Sequence, residues 1–128
     1  MEIFKELSEW MKVRECLPES KTLGFVPTMG ALHNGHISLV NRSIKENDYT
    51  VVSIYLNPTQ FDNKNDFENY PTAIDNDIKL LNGVNTDFLM HPTYKQIYPD
   101  DYRCKVTESG FSKRLCGASR PGHFDGVL

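Results

Sequence analysis

Two histidines three positions apart, His33 and His36, sit in the stretch Pro27-Thr28-Met29-Gly30-Ala31-Leu32-His33-Asn34-Gly35-His36. Imidazoles donate hydrogen bonds near neutral pH and offset negative charge. Such a pair suits phosphate oxygens and the charge that builds on a departing pyrophosphate. The stretch joins an apolar run, Leu23 to Val26, to a helical pattern that starts at Ile37. A helix start offers unpaired backbone N–H groups and a partial positive charge, both of which favour phosphate. Gly30 and Gly35 let a ligand come close to the backbone. Two plainer readings compete: ordinary surface histidines, or a metal-binding pair. The metal reading is the weaker, because no Cys, Asp or Glu lies nearby in sequence to complete a shell.

Other residues with usable chemistry follow. Gln60 both donates and accepts, so it can grip the hydroxyls and carboxylate of a small polar acid, or simply be a solvated loop residue. Asn57, ahead of Pro58, reads as a turn cap. Phe61 and Tyr70 either wall a pocket that excludes water or belong to ordinary core. Asp75 and Asp77 are candidates to help hold Mg²⁺ beside a nucleotide's phosphates, and equally are plain helix residues, one of them capping. Arg120 and His123 lie in a glycine-rich stretch, where an anion-binding lid, a subunit contact and a solvated loop all remain open.

The elements that must carry these groups alternate. Ile3, Phe4, Leu7, Trp10 and Met11 recur at helical spacing, predicting a first helix closed by Pro18. Leu23 to Val26 predicts a strand buried on both faces and ended by Pro27. Ile37, Val40 and Ile44 predict a helix to about Asn47, and Tyr49 to Leu56 a strand parallel to the one before. After a polar and aromatic loop, Thr72 with Asp75 predicts a capped helix that turns Ile74, Ile78 and Leu81 inward until Gly83. Phe88 to Met90 reads as the next strand, Lys105 to Thr107 as a further candidate strand, and Phe111 to Leu115 as a helical turn. The whole predicts a parallel α/β fold whose ligands sit beyond the carboxyl ends of the strands.

Composition sets bounds on that reading. At 128 residues, 39% hydrophobic and 24% charged, the chain is predicted to make one compact unit. A net charge of -3, with both signs mixed along the chain, gives no footprint for nucleic acid. Cys16, Cys104 and Cys116 form no C-x-x-C pair, which argues against a disulfide framework or zinc ribbon and fits a reduced cytoplasm. No apolar run approaches the ~18–20 residues that cross a bilayer, so no membrane partner is expected.

Residues 27–40, P-T-M-G-A-L-H-N-G-H-I-S-L-V, are similar to the signature of the pantothenate synthetases, a branch of the H-x-G-H nucleotidyltransferase superfamily. Three further blocks agree in order and spacing: Asn57-Pro58-Thr59-Gln60-Phe61, Asp66-Phe67-Glu68-Asn69-Tyr70-Pro71, and Gly117 through Val127. The resemblance runs from about residue 23 to the last residue. It implies a Rossmann-like parallel sheet, incomplete on its C-terminal side, in an N-terminal nucleotide-binding domain over residues 1–128. It also implies ATP, with Mg²⁺, as a substrate beside pantoate and β-alanine, which are joined through a pantoyl-adenylate. On this resemblance Met29, Gly30, Ala31, Leu32, His33, Asn34, Gly35 and His36 hold ATP. His36 acts as proton donor or charge stabiliser with His33 assisting, Gln60 binds pantoate and orients β-alanine, and Pro27, Thr28 and Tyr70 line the pocket. A cytoplasmic homodimer is the family's implied state.

Family members are longer. The later F-G-x-K-D-like and M-S-S-R-like blocks and the small C-terminal domain do not appear in this chain. Asp62, Thr72 and Cys116 stand where the family usually has Gly, Arg and Glu. Two alternatives therefore stay in view: another H-x-G-H transferase, and a nucleotide-binding module without turnover.

Overall fold

The strand Tyr49–Ile54 (β3) is buried at every position after Tyr49, as befits a parallel strand covered on both faces. The computed structural model describes residues 1–61 and 63–128; Asp62 lies outside them. β3 lies between Leu23–Thr28 (β2) and Phe88–Met90 (β4), and Glu2–Phe4 (β1) pairs with the far side of β4. The sheet thus has the order β1-β4-β3-β2, with every pairing parallel.

Two apolar layers hold this sheet. On one face Val26, Val52, Ile54 and Leu89 meet Val40 of Asn34–Glu46 (α2) and Leu81 of Ile74–Gly83 (α4), with Leu32 in the same cluster. On the other, Trp10 of Leu7–Cys16 (α1) packs against Phe4 and Phe88, at ring centroid distances of 5.6 and 5.3 Å. Each fully buried aliphatic side chain stabilises the fold by about 1.5–3 kcal/mol. Ser43 and Thr50, both buried, bond to each other through their hydroxyls at 2.8 Å, so α2 is tied to β3 without orphaned polar atoms.

Four expectations change. The first helix loses its beginning: Ile3 and Phe4 belong to β1, where Glu2 N–H donates to Asp87 O and His91 N–H to Phe4 O, both at 2.8 Å. A distant strand supplies backbone partners there that local spacing does not reveal. β2 is an edge strand that runs through Pro27 to Thr28, and Phe25 on it is 58% exposed. Tyr49 N–H donates to Thr22 O and Tyr55 N–H to Thr28 O, so even-numbered residues of β2 face β3 and odd ones face outward. Pro27 therefore removes a donor only from the free edge, where proline is tolerated. α4 begins at Ile74 with Ala73 as its cap and no side-chain cap bond; packing of its inner face, not Thr72, sets its start. Lys105 to Thr107 forms no strand: all three are exposed and no neighbouring strand pairs with them.

By their contacts the described residues divide into two compact units where one was expected. Unit 1 comprises Met1–Leu56 and Pro71–Ile97 and contains the sheet. Unit 2 comprises Asn57–Tyr70 and Tyr98–Leu128. Its elements are short: a 3-10 turn at Pro58–Gln60, a helix at Lys64–Glu68 (α3), and turns at Phe111–Lys113, Cys116–Ser119 and His123–Gly126. No helix among the described residues is long and apolar enough to cross a membrane.

Candidate functional site

In unit 1 the loop from β2 to α2 turns sharply at Gly30 and Ala31, with φ of 83° and 51°. Gly30 suits this left-handed backbone, and a Cβ there would stand 3.1 Å from Ile54 Cγ2 and 3.2 Å from Asp77 Oδ2. Ala31 carries real strain at its angle. What offsets it is Asp77, only 1% exposed, whose two oxygens accept from Ala31 N–H at 2.9 Å and Leu32 N–H at 2.7 Å. Thr28 helps from the other side, donating to Ser53 O at 2.8 Å and accepting from Gly30 N–H at 3.2 Å.

The two histidines cap the helix that follows. His33 Nδ1 accepts from Gly35 N–H at 3.1 Å, and His36 Nδ1 accepts from His33 N–H at 3.3 Å, with ring centroids 4.1 Å apart. A neutral imidazole that accepts at Nδ1 carries its proton on Nε2. The hydrogen-bond network therefore gives both rings the Nε2–H tautomer. Burial first, and the neighbouring His33 ring second, push the His36 imidazole below its ordinary value of 6.5, with Asp77 opposing. His36 is thus neutral at pH 7, a donor without net charge. No acidic residue occupies the first turn of α2, which leaves its positive end uncompensated.

This arrangement departs from the simple picture of open amides. The N–H groups of Gly30, Ala31, Leu32, His33 and Gly35 are all engaged within the loop, and Leu32 is buried in the core. The imidazole Nε2–H groups of His33 and His36 take no part in this loop network. Asp77, the other magnesium candidate, accepts one loop N–H on each of its oxygens. Asp75 is exposed on α4, and among the described residues no three His, Cys, Asp or Glu side chains converge as a metal shell. The sequence does carry a signal for Asp77. It falls on the same helical stripe as Ile74, Ile78 and Leu81, and a carboxylate on an inward stripe needs a buried partner. His91, also unforeseen, lies just past β4, its Nδ1 2.8 Å from Ile54 O.

In unit 2, Gln60 ends the turn that Asn57 caps. Asn57 is 6% exposed; its Oδ1 accepts from Thr59 N–H and Oγ1–H, and its Nδ2 donates to Tyr98 Oη and Gly126 O. The structural reading of Asn57 follows. Gln60 Nε2 donates to Gly126 O at 3.1 Å. Phe61 packs edge-to-face on Phe67 and Tyr70, at 5.5 and 5.7 Å, all three partly exposed. The three aromatics thus pack on one another within unit 2. Arg120 and His123 both reach the main chain of Gln60.

Fold and loop together define a class: a parallel α/β protein of nucleotidyltransferase type, with a histidine-bearing loop at the carboxyl end of its sheet. The comparisons narrow this. A family model described as pantoate-beta-alanine ligase matches residues 2–128, and the chain belongs to that family. It is 50% identical over 127 residues to the pantothenate synthetase of Pseudothermotoga lettingae, covering 99% of this chain and 45% of the relative. Against that of Thermotoga petrophila the identity is 51% over 128 residues, covering 99% and 46%. The crystal structure of the Francisella tularensis pantoate-beta-alanine ligase, complexed with beta-gamma ATP and beta-alanine, superposes with a TM-score of 0.96 at 44% identity, covering 99% of this chain and 49% of that one. The chain thus spans about half the length of the relatives it matches.

Proposed function

We propose that this chain supplies the ATP- and pantoate-binding parts of a ligase that condenses (R)-pantoate with β-alanine in coenzyme A biosynthesis. A pantoate carboxylate oxygen attacks the α-phosphorus of ATP, and the bond to the β,γ-pyrophosphate breaks. The β-alanine amine then attacks the acyl carbon of the pantoyl-adenylate, loses a proton and expels AMP. The observation that carries the reading is the fixed imidazole pair at the start of α2. Two Nε2–H groups held by the main chain stand ready for phosphate oxygens, and preorganised donors cost no reorientation as charge builds on the leaving pyrophosphate.

His36 is the principal donor and His33 its helper; Met29, Gly30, Ala31, Asn34 and Gly35 give the loop its shape around ATP, with Pro27 and Thr28 leading into it. Gln60 is the pantoate residue: Gly126 takes one Nε2 hydrogen, and Oε1 and the other hydrogen are free for hydroxyl and carboxylate. Mg²⁺ enters this reading with ATP, held mainly by the phosphates, with Asp75 and Asp77 as the candidates for the one or two carboxylates that would assist. The cytoplasm and a homodimer belong to the same proposal; the three free, exposed cysteines fit a reducing compartment.

The deciding experiment is pantoate-dependent exchange of labelled pyrophosphate into ATP, run beside calorimetry with ATP and with pantoate. Exchange supports the ligase reading. Binding of both ligands without exchange favours a binding module, and ATP binding with no response to pantoate favours another transferase of the superfamily.

A further inference from the structure

The carbonyl oxygen of Gln60 receives two hydrogen bonds from one distant segment, Arg120 Nη2 at 3.1 Å and His123 Nδ1 at 2.8 Å. A carbonyl only accepts, so His123 carries its proton on Nδ1, the opposite tautomer to His33 and His36. The same segment holds the side chain through Gly126 O, which also takes Asn57 Nδ2. Contact between segment and turn is close: a Cβ on Gly126 would lie 2.6 Å from the carbonyl carbon and oxygen of Thr59 and from its Oγ1. Real side chains do not make such contacts, so glycine is required there.

We propose that Arg120 and His123 are positioning residues that fix the Gln60 turn and thereby set the affinity for pantoate. The inference rests on the pantoate reading of Gln60. Its physical content is separate. Two donors occupy both lone pairs of one carbonyl, which holds the Gln60–Phe61 peptide plane, and Gly126 O decides which end of the carboxamide is the donor. Loss of either donor lets that plane rotate, and the side chain no longer presents Oε1 in one direction. Of the three roles open to Arg120 and His123 from sequence, the geometry selects none. Both bond to a neutral main-chain oxygen, that of Gln60.

The test uses the 128-residue chain, isotopically labelled, with four variants. Arg120→Ala and His123→Phe each remove a donor; His123→Asn keeps an amide nitrogen near the Nδ1 position; Gln60→Ala removes the ligand contact itself. The Gln60 carbonyl ¹³C resonance is expected to shift in the first two variants and to return in His123→Asn. Pantoate Kd is expected to rise about five- to tenfold in the first two, the worth of one hydrogen bond. It should recover in His123→Asn, with ATP Kd changing less than about twofold. A carbonyl resonance indifferent to Arg120→Ala and His123→Phe overturns the clamp. A resonance that moves while pantoate Kd stays fixed, or an ATP Kd that rises in step, overturns the positioning role. If the unaltered chain does not bind pantoate, or Gln60→Ala binds it equally well, the pantoate reading of Gln60 fails and takes the positioning role with it. The carbonyl result still judges the clamp alone.

Discussion

The histidine loop of unit 1 and the Gln60 turn of unit 2 solve the same problem by different means. Each presents polar side chains, and each is pinned by residues far away in sequence. The histidine loop leans on one buried charge, Asp77, seated in a sheet-and-helix core. The Gln60 turn leans on several half-exposed polar contacts in a unit built from short turns. A buried carboxylate serving two amides makes a stiff support whose loss is costly. A set of partly solvated bonds makes a softer one that yields in parts.

Substitutions test this difference directly. Under the proposed function, His36→Ala removes a phosphate donor, and pyrophosphate exchange is expected to fall by about 10²–10³, the usual effect of deleting one preorganised donor. A fall of less than tenfold would place the key donor elsewhere. Asp77→Ala strands two amides and releases the strained turn, and urea denaturation should report a loss of about 3 kcal/mol. Asp77→Asn, which keeps one acceptor oxygen, should lose roughly half of that.

Gly126→Ala should act on unit 2 alone. Hydrogen exchange is expected to quicken at residues 57–61 and 120–128 while the sheet amides keep their protection; equal loosening of both units would mean that the two supports do not differ in stiffness. The pH response isolates unit 1. His36 has a folded-state pKa below its unfolded one, so the unfolded chain binds the proton first. Stability from this ring is full above the unfolded value of 6.5 and drains away as pH falls through the lower folded value. An NMR titration of His36 with its midpoint above 6.5 would contradict that sign. Phe25→Ser, on the exposed edge, should alter stability by only about 0.5 kcal/mol.

Much of this was legible in the residues. The alternation of strands and helices, the placement of the H-x-G-H stretch between β2 and α2, and the capping role of Asn57 follow from local pattern. What escaped was set at long range. Glu2–Phe4 becomes a strand only because β4 lies beside it, and its apolar spacing suited a helix equally well. Asp77 sits 46 residues from Ala31, and Arg120 60 residues from Gln60. No window of local sequence contains both ends of either bond, so a helix carboxylate and a loop cation looked like candidates for metal and anion. For Asp77 the inward stripe of α4 was a readable signal; for Arg120 and His123 no comparable signal exists.

Pro27 gives the open border of the sheet an uneven character. Leu23 and Phe25 each offer a donor and an acceptor to whatever runs alongside, and then the next outward residue offers an acceptor only. A stranger chain that zips onto this border loses a rung just as it reaches the turn toward the histidines, which makes β2 a poor template for runaway stacking. Any strand that pairs there does so one hydrogen bond short at the level where the chain turns toward the histidines.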